Sequence, residues 1–279
     1  MPTLDERRKH DVAAALGKAR ALLEECQIRG IPVDLFRLAR KVGIQRVTQA
    51  QTLLDGQLVE LPGGSYEVIL SRSAPVTRQR FTLAHEIAHL LLFPHNAGCN
   101  QARESEELCN VAASELLIPA RFLTQVLAAD SSGALQSLLK VTRLFRCSLE
   151  AAGWKILNSG LISGALLIWK IAAEQAGEFL ELVAVPHTWG AERVMDQSLR
   201  VYPGDWLWQT VMAAANGPIC FPSLVQGMCY EGEFIRLRKV VLIFVAGQMQ
   251  YLRDQGAGEV TPRPALAGAE KIQPSASKG

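Results

Sequence analysis

Apolar positions along the first seventy residues predict two helices followed by a β-hairpin. From Thr3 to about residue 27 the apolar residues recur at helical spacing, and Thr3 with Glu6 three positions later forms a capping box. A second helix is predicted over residues 35–42, because Gly43 follows it as a typical helix end. Apolar stretches at residues 58–61 and 66–70 flank Pro-Gly-Gly, which predicts paired strands.

The segment from Phe81 to His95 is a helical apolar run that contains His85-Glu86-Ile-Ala-His89. At positions i and i+4 the two imidazoles lie on one face of a helix, about 5–6 Å apart at Cβ, close enough to bind one metal ion. Glu86 lies about 100° around the axis from His85, so it can reach a water held by the metal without being a ligand. This layout predicts a zinc-dependent peptidase, in which zinc lowers the pKa of water and a carboxylate accepts the proton.

The alternative is that these polar residues are an ordinary surface feature. Leucine, isoleucine and alanine surround them, so the helix is predicted to be largely buried, and two of the five histidines of the chain fall here. Buried polar groups need partners, which a metal ion would supply.

The segment 103–119 offers a third ligand. It predicts a helix that ends at Pro119, with Glu106 and Asn110 one turn apart on the same face. Glu106 would complete a two-histidine, one-glutamate site, and Asn110 could hold a ligand histidine by a hydrogen bond. The alternative is that the acidic cluster only complements the helix dipole. Glu107 and Glu115 point in other directions around the helix.

Two motifs resemble the ImmA/IrrE metallopeptidases: Arg78-x-Arg-Phe-Thr-Leu-Ala-His-Glu-x-x-His89 and Glu106-x-x-Cys-Asn-x-Ala-Ala-x-x-Leu-Leu-x-Pro119. They cover about residues 66–119. The resemblance implies a gluzincin-like peptidase domain that cleaves a cognate repressor of the helix-turn-helix class. It also implies the ligand set His85, His89 and Glu106 for one zinc ion, or for another divalent metal such as manganese. Glu86 would then act as general base and afterwards as proton donor.

In its layout the chain is most similar to the deinococcal IrrE branch of that family. This similarity implies a DdrO-like repressor as substrate and the release of a radiation and desiccation response to DNA damage. Most family members carry Phe where Val111 or Ala112 stands here, and Ala where Cys109 stands. The Cys-Asn pair fits the IrrE branch.

Four residues are candidates for binding the substrate. Tyr66 and Val68 lie on a strand that could present its edge to a peptide backbone, although an ordinary sheet strand explains them equally well. Arg78 and Arg80 lead into the metal helix, where they would anchor either the structure or the substrate. An oxyanion donor is also expected, but His95 and His187 are candidates only by elimination.

The second half of the chain changes from helical to strand patterns. Residues 135–145 and 149–157 predict two short helices that suggest a helix-turn-helix pair. From residue 161 onward, strand-length apolar runs at 165–171, 179–185 and 239–245 accompany a helix near 205–215, and this arrangement resembles a GAF-like domain. An aromatic group could line a ligand pocket there, although such residues are usually part of the core: Trp189, Trp206, Trp208 and Tyr230.

These patterns predict a mixed α+β protein with four segments. They are a peptidase domain (1–120), a helix-turn-helix-like module (121–160), a GAF-like regulatory α/β domain (161–253) and a flexible tail (254–279) rich in Gly, Ala, Pro and Ser.

Composition excludes several other classes. Twenty-nine basic and 27 acidic residues give a net charge of +2, so direct DNA binding is not expected. No apolar run approaches a membrane span and the N-terminus lacks a signal-peptide core, so the protein is expected in the cytoplasm, with no membrane partner. Six cysteines without a Cys-x-x-Cys pair predict reduced, mostly buried thiols.

The sequence therefore favours a metal-dependent endopeptidase with a C-terminal domain that could bind a signal ligand. The rival hypothesis is a transcription regulator or sensor that binds DNA or a small molecule without proteolysis. The low net charge and the intact Glu86 favour the peptidase.

Overall fold

The computed structural model describes residues 3–94, 103–130, 132–174, 177–184, 200–222 and 228–251, which form a mixed α+β structure. The chain divides into two compact units, Met1–Ile162 and Ser163–Gly279. The predicted tail, His95, His187 and Trp189 lie outside the described residues.

The first unit contains seven helices and three strands among its described residues, and its N-terminal elements begin and end where the sequence predicts. The Thr3 side chain accepts from the Glu6 backbone N–H at 3.2 Å while the Glu6 carboxylate accepts from the Thr3 backbone N–H at 2.7 Å. Gly43 has a φ of +94°, the left-handed conformation that suits glycine after a helix. In chain order the elements are α1 (Leu4–Glu25), α2 (Leu35–Lys41), β1 (Ile44–Ala50), β2 (Gly56–Leu61), β3 (Ser65–Ser71), α3 (Val76–Leu92), α4 (Arg103–Leu117), α5 (Ala120–Ala128), α6 (Ala134–Phe145) and α7 (Leu149–Asn158).

The predicted hairpin is confirmed, but its second strand is not an edge strand. The sheet order is β1-β3-β2, with β3 parallel to β1 on one side and antiparallel to β2 on the other. Both hydrogen-bonding edges of Tyr66 and Val68 are therefore occupied, and Val68 is fully buried. The interpretation of this strand as a docking edge for a peptide is wrong, because a parallel partner from an earlier segment covers it.

Helix α3 packs on β2 and β3, and α4 packs against both α3 and α1. The buried face of α3 carries Leu83, Ala84, Ile87 and Ala88, which are at most 3% exposed. Residues at this spacing form one stripe of a helix. The packing of this stripe fixes the direction in which His85 and His89 project from α3.

The predicted helix pair 135–145 and 149–157 corresponds to α6 and α7. Arg146 ends α6 in the left-handed conformation, with φ 52°, and Ser148 caps α7 by accepting from the Ala151 N–H at 3.1 Å. Among the described helices none is by itself long and apolar enough to cross a membrane, and only α4 and α5 together, bent by 51°, meet that requirement by length and composition.

The described residues of the second unit form a six-stranded antiparallel sheet in the order β6-β5-β4-β9-β8-β7. The three predicted strands and the predicted helix are present. Trp169, Leu207 and Val211 belong to one buried cluster, so helix α8 covers a face of the sheet, and Trp208 packs against that cluster. The elements are β4 (Gly164–Glu174), β5 (Gly177–Ala184), β6 (Arg200–Val201), α8 (Trp206–Ala213), β7 (Asn216–Pro222), β8 (Met228–Arg236) and β9 (Val240–Tyr251).

The cysteines follow the prediction in part. Cys26, Cys109 and Cys147 are free and buried. Cys220 is disulfide-bonded, so the prediction of reduced thiols is wrong for this residue.

Candidate metal centre

The packing of α3 against α4 brings three ligand-type side chains together. The Nε2 atoms of His85 and His89 lie 2.9 Å apart. The Glu106 carboxylate approaches them at 3.2 Å from His85 Nε2 and 3.5 Å from His89 Nε2. These ligand atoms all lie within 4.8 Å of one another, so one ion could contact all three.

The spacing of these atoms suits a small divalent cation. Zinc–ligand bonds of about 2.0–2.1 Å at tetrahedral angles place neighbouring ligand atoms about 3.3 Å apart. The three observed separations are close to that value. Two imidazole nitrogens and one carboxylate also leave a fourth position open, as catalytic zinc sites do.

The ring nitrogens that face away from this cluster have partners on α4. His85 Nδ1 lies 3.1 Å from Asn110 Oδ1, and His89 Nδ1 lies 3.5 Å from Cys109 Sγ. An Nδ1–H that donates to such a partner leaves the Nε2 lone pair free for a metal.

Burial favours the neutral form of both imidazoles. Burial lowers the pKa of His85 and of His89, although the Glu106 charge acts in the opposite direction on each. The neighbouring His85 also lowers the pKa of His89, since the two ring centroids lie only 4.6 Å apart. Neutral imidazole is the form that ligates metals.

Glu86 lies beside the cluster. Burial raises the pKa of Glu86 to about 7, and the Glu106 charge adds to the increase. Its Oε1 faces the start of β2, only 3.6 Å from where a Cβ on Gly56 would lie. The same Cβ would lie 2.2 Å from Thr82 Cγ2, so only glycine lets β2 approach α3 this closely.

The other two acidic residues on α4 have different partners. Glu107 pairs with Arg8 at 2.9 Å and with Arg103 at 3.6 Å. The Glu115 side chain is 2% exposed and pairs with Arg20 Nε at 3.1 Å and with Lys155 Nζ at 2.5 Å. Glu106 is therefore the α4 carboxylate that lies with the histidines.

The two arginines proposed for substrate binding lie in different surroundings. Arg78 is exposed, pairs with Asp55 through Nε and NH2 at 2.8 and 2.6 Å, and lies over the Phe81 ring, near His85. Arg80 lies about 140° around the α3 axis from His85. It donates to the Val33 carbonyl at 3.1 Å, which is a structural contact away from the cluster.

Sequence reasoning missed two parts of this site. Cys109 had no predicted role beyond the Cys-Asn pair, but in the structure its sulfur faces the outer nitrogen of His89. The spacing of Cys109 from Glu106 could have indicated this role, because residues i and i+3 share a helix face. Gly56 gave no signal in the sequence, because its importance depends on the packing of β2 against α3.

Comparison with known proteins finds a family that is similar to part of the chain. Residues 38–156 match the family model described as "Peptidase_M78: IrrE N-terminal-like domain", which includes α3, α4 and all the residues of the cluster. The match shows that this segment is similar to the IrrE N-terminal-like domain of the M78 peptidases. A solved structure titled "Mycobacterium tuberculosis transcriptional regulator" is 14% identical, with 86% of this chain and 77% of that chain covered and a TM-score of 0.49. A search of curated proteins gives no match.

Proposed function

We propose that this protein is a metal-dependent endopeptidase whose metal is held by His85, His89 and Glu106. The observation that carries the proposal is the convergence of two imidazole nitrogens and one carboxylate within 4.8 Å, beside a partly buried second carboxylate. Zinc suits this donor set, and manganese is the other candidate. When bound, such an ion would polarise the scissile carbonyl and lower the pKa of an attacking water.

Glu86 supplies the proton transfers. A carboxylate whose pKa lies near neutrality can accept a proton from the attacking water and then deliver it to the departing amine nitrogen. Asn110 and Cys109 would orient the two histidines, since they contact the outer ring nitrogens of His85 and His89.

We place the substrate backbone along β2 rather than along β3. Among the described residues β2 pairs only with β3, so its other edge is open to an extended peptide. Gly56 at the start of this strand lies against Glu86, so a peptide paired with β2 would run past the general base. Arg78 and Asp55 would flank its entry.

The substrate we propose is a helix-turn-helix transcriptional repressor of the DdrO type, cleaved in the cytoplasm to release a radiation and desiccation response. The match to an IrrE N-terminal-like domain supports a protein substrate. We propose that the peptidase domain is gluzincin-like. In this proposal α6 and α7 form a helix-turn-helix-like module that docks the substrate. The second unit would be a GAF-like domain that binds a signal ligand. The short turn at Arg146 supports a helix-turn-helix-like geometry for α6 and α7.

The test is cleavage of a purified helix-turn-helix repressor by the purified full chain, with and without a chelator, followed by intact mass spectrometry. We expect two defined fragments that disappear on chelation and return when zinc or manganese is restored. Cleavage that persists after complete removal of metal would contradict the proposal.

A further inference from the structure

Helix α4 presents three side chains to the two histidines of α3. Glu106, Cys109 and Asn110 stand at positions i, i+3 and i+4, which lie on one face of a helix. Glu106 faces the Nε2 atoms, Asn110 faces Nδ1 of His85, and Cys109 faces Nδ1 of His89. The two imidazoles thus have matched outer partners from adjacent residues.

We infer that Cys109 is a positioning residue that orients His89 for metal binding, as Asn110 orients His85. The inference rests on the proposed metal site. The sulfur lies 3.5 Å from His89 Nδ1, within the reach of a hydrogen bond to sulfur. When Nδ1–H donates to this sulfur, the proton cannot reside on Nε2, and the Nε2 lone pair faces His85 and Glu106.

The Cys109 thiol lies in the core beside His89. Cys109 is fully buried between α3 and α4, and its neighbours Ala112 and Ala113 are also fully buried. A thiol sulfur is a weak acceptor, and at 3.5 Å it is the outer partner that the structure gives to His89 Nδ1.

Removal of the sulfur leaves the outer nitrogen of His89 without this partner. We expect Cys109→Ala to weaken zinc affinity by about tenfold, the low end of the effect of losing an outer partner of a metal ligand. Cys109→Ser keeps a small group that accepts a hydrogen bond. It should therefore bind zinc at least about threefold more tightly than Cys109→Ala. Cys147→Ala is the matched control, because Cys147 is another free, fully buried cysteine outside the cluster.

The experiment measures zinc affinity of the four full-length proteins by competition with a chromophoric chelator. It also records the ¹⁵N shifts of the His89 ring in the metal-free state. We expect wild type and Cys147→Ala to bind equally, with Nδ1 protonated on His89 in both. Cys109→Ala should lose affinity and show a shifted tautomer population, and Cys109→Ser should be intermediate.

Three results overturn the inference. They are wild-type affinity in Cys109→Ala, an equal loss in Cys109→Ser and Cys109→Ala, and an unchanged His89 tautomer in Cys109→Ala. Failure of the wild-type protein to bind zinc or manganese at all would instead refute the proposed function, and the inference with it.

Discussion

Glu115 is a buried carboxylate with two cationic partners in the first unit, and removing its charge gives a stability prediction. Its side chain is 2% exposed and contacts Lys155 Nζ on α7 at 2.5 Å and Arg20 Nε on α1 at 3.1 Å. It also accepts from the Ala120 backbone N–H at 3.2 Å, at the start of α5. One carboxylate therefore connects α1, α4, α5 and α7.

The variant Glu115→Gln removes the negative charge and leaves both cations in place. Loss of one partner from a fully buried pair costs about 3–5 kcal/mol, because the other charge remains buried without compensation. The Lys155 side chain is only 13% exposed, whereas Arg20 is 55% exposed and can regain hydration. We therefore expect the free energy of unfolding of this unit to fall by about 2–4 kcal/mol.

The assay is urea denaturation followed by circular dichroism, with hydrogen exchange to assign the loss to α4 and α7. Glu107→Gln is the control, since Glu107 is 43% exposed and an exposed pair contributes about 0–1 kcal/mol. Metal content should be unchanged in both variants. A stability of Glu115→Gln within about 0.5 kcal/mol of wild type, or an equal loss in Glu107→Gln, would refute the reasoning.

Three further predictions concern the site and its surroundings. Glu106→Gln should weaken metal affinity by ~10–100-fold or more while Glu107→Gln stays near wild type; a metal-free Glu107→Gln beside a loaded Glu106→Gln would contradict the ligand assignment. Gly56→Ala should destabilise the unit by about 1–3 kcal/mol, because the added Cβ would overlap Thr82. The control Gly17→Ala adds a Cβ in open space on α1 and should stabilise the unit by up to about 1 kcal/mol. Equal thermal melting temperatures of the two variants would refute this. DNA binding by the isolated protein should be weak, nonspecific and salt-sensitive in a fluorescence anisotropy titration, and tight binding to one promoter would favour a regulator.

Local features were predictable from the sequence. The capping box of Thr3 and Glu6 forms within four residues, so the start of α1 follows from the sequence alone. The facing imidazoles of His85 and His89 likewise follow from their spacing on one helix. The choice of Glu106 required a second helix, but the period of α4 was enough to suggest it.

Features that depend on distant parts of the chain were not predictable. The central position of β3 depends on its parallel pairing with β1, which no local pattern records. The partners of Glu115 lie 95 and 40 residues away, so the sequence could exclude it as a ligand but could not reveal its role. The contact of Cys109 with His89 depends on the packing of α3 against α4.

The most direct test of the central claim is the rate of repressor cleavage by Glu86→Gln. The amide keeps the shape of the side chain and leaves His85, His89 and Glu106 in place, but it cannot accept a proton. Metal-loaded Glu86→Gln should cleave at least ~10²-fold more slowly than wild type, in line with the contribution of a general base. Cleavage at the wild-type rate by a metal-loaded variant would contradict the account.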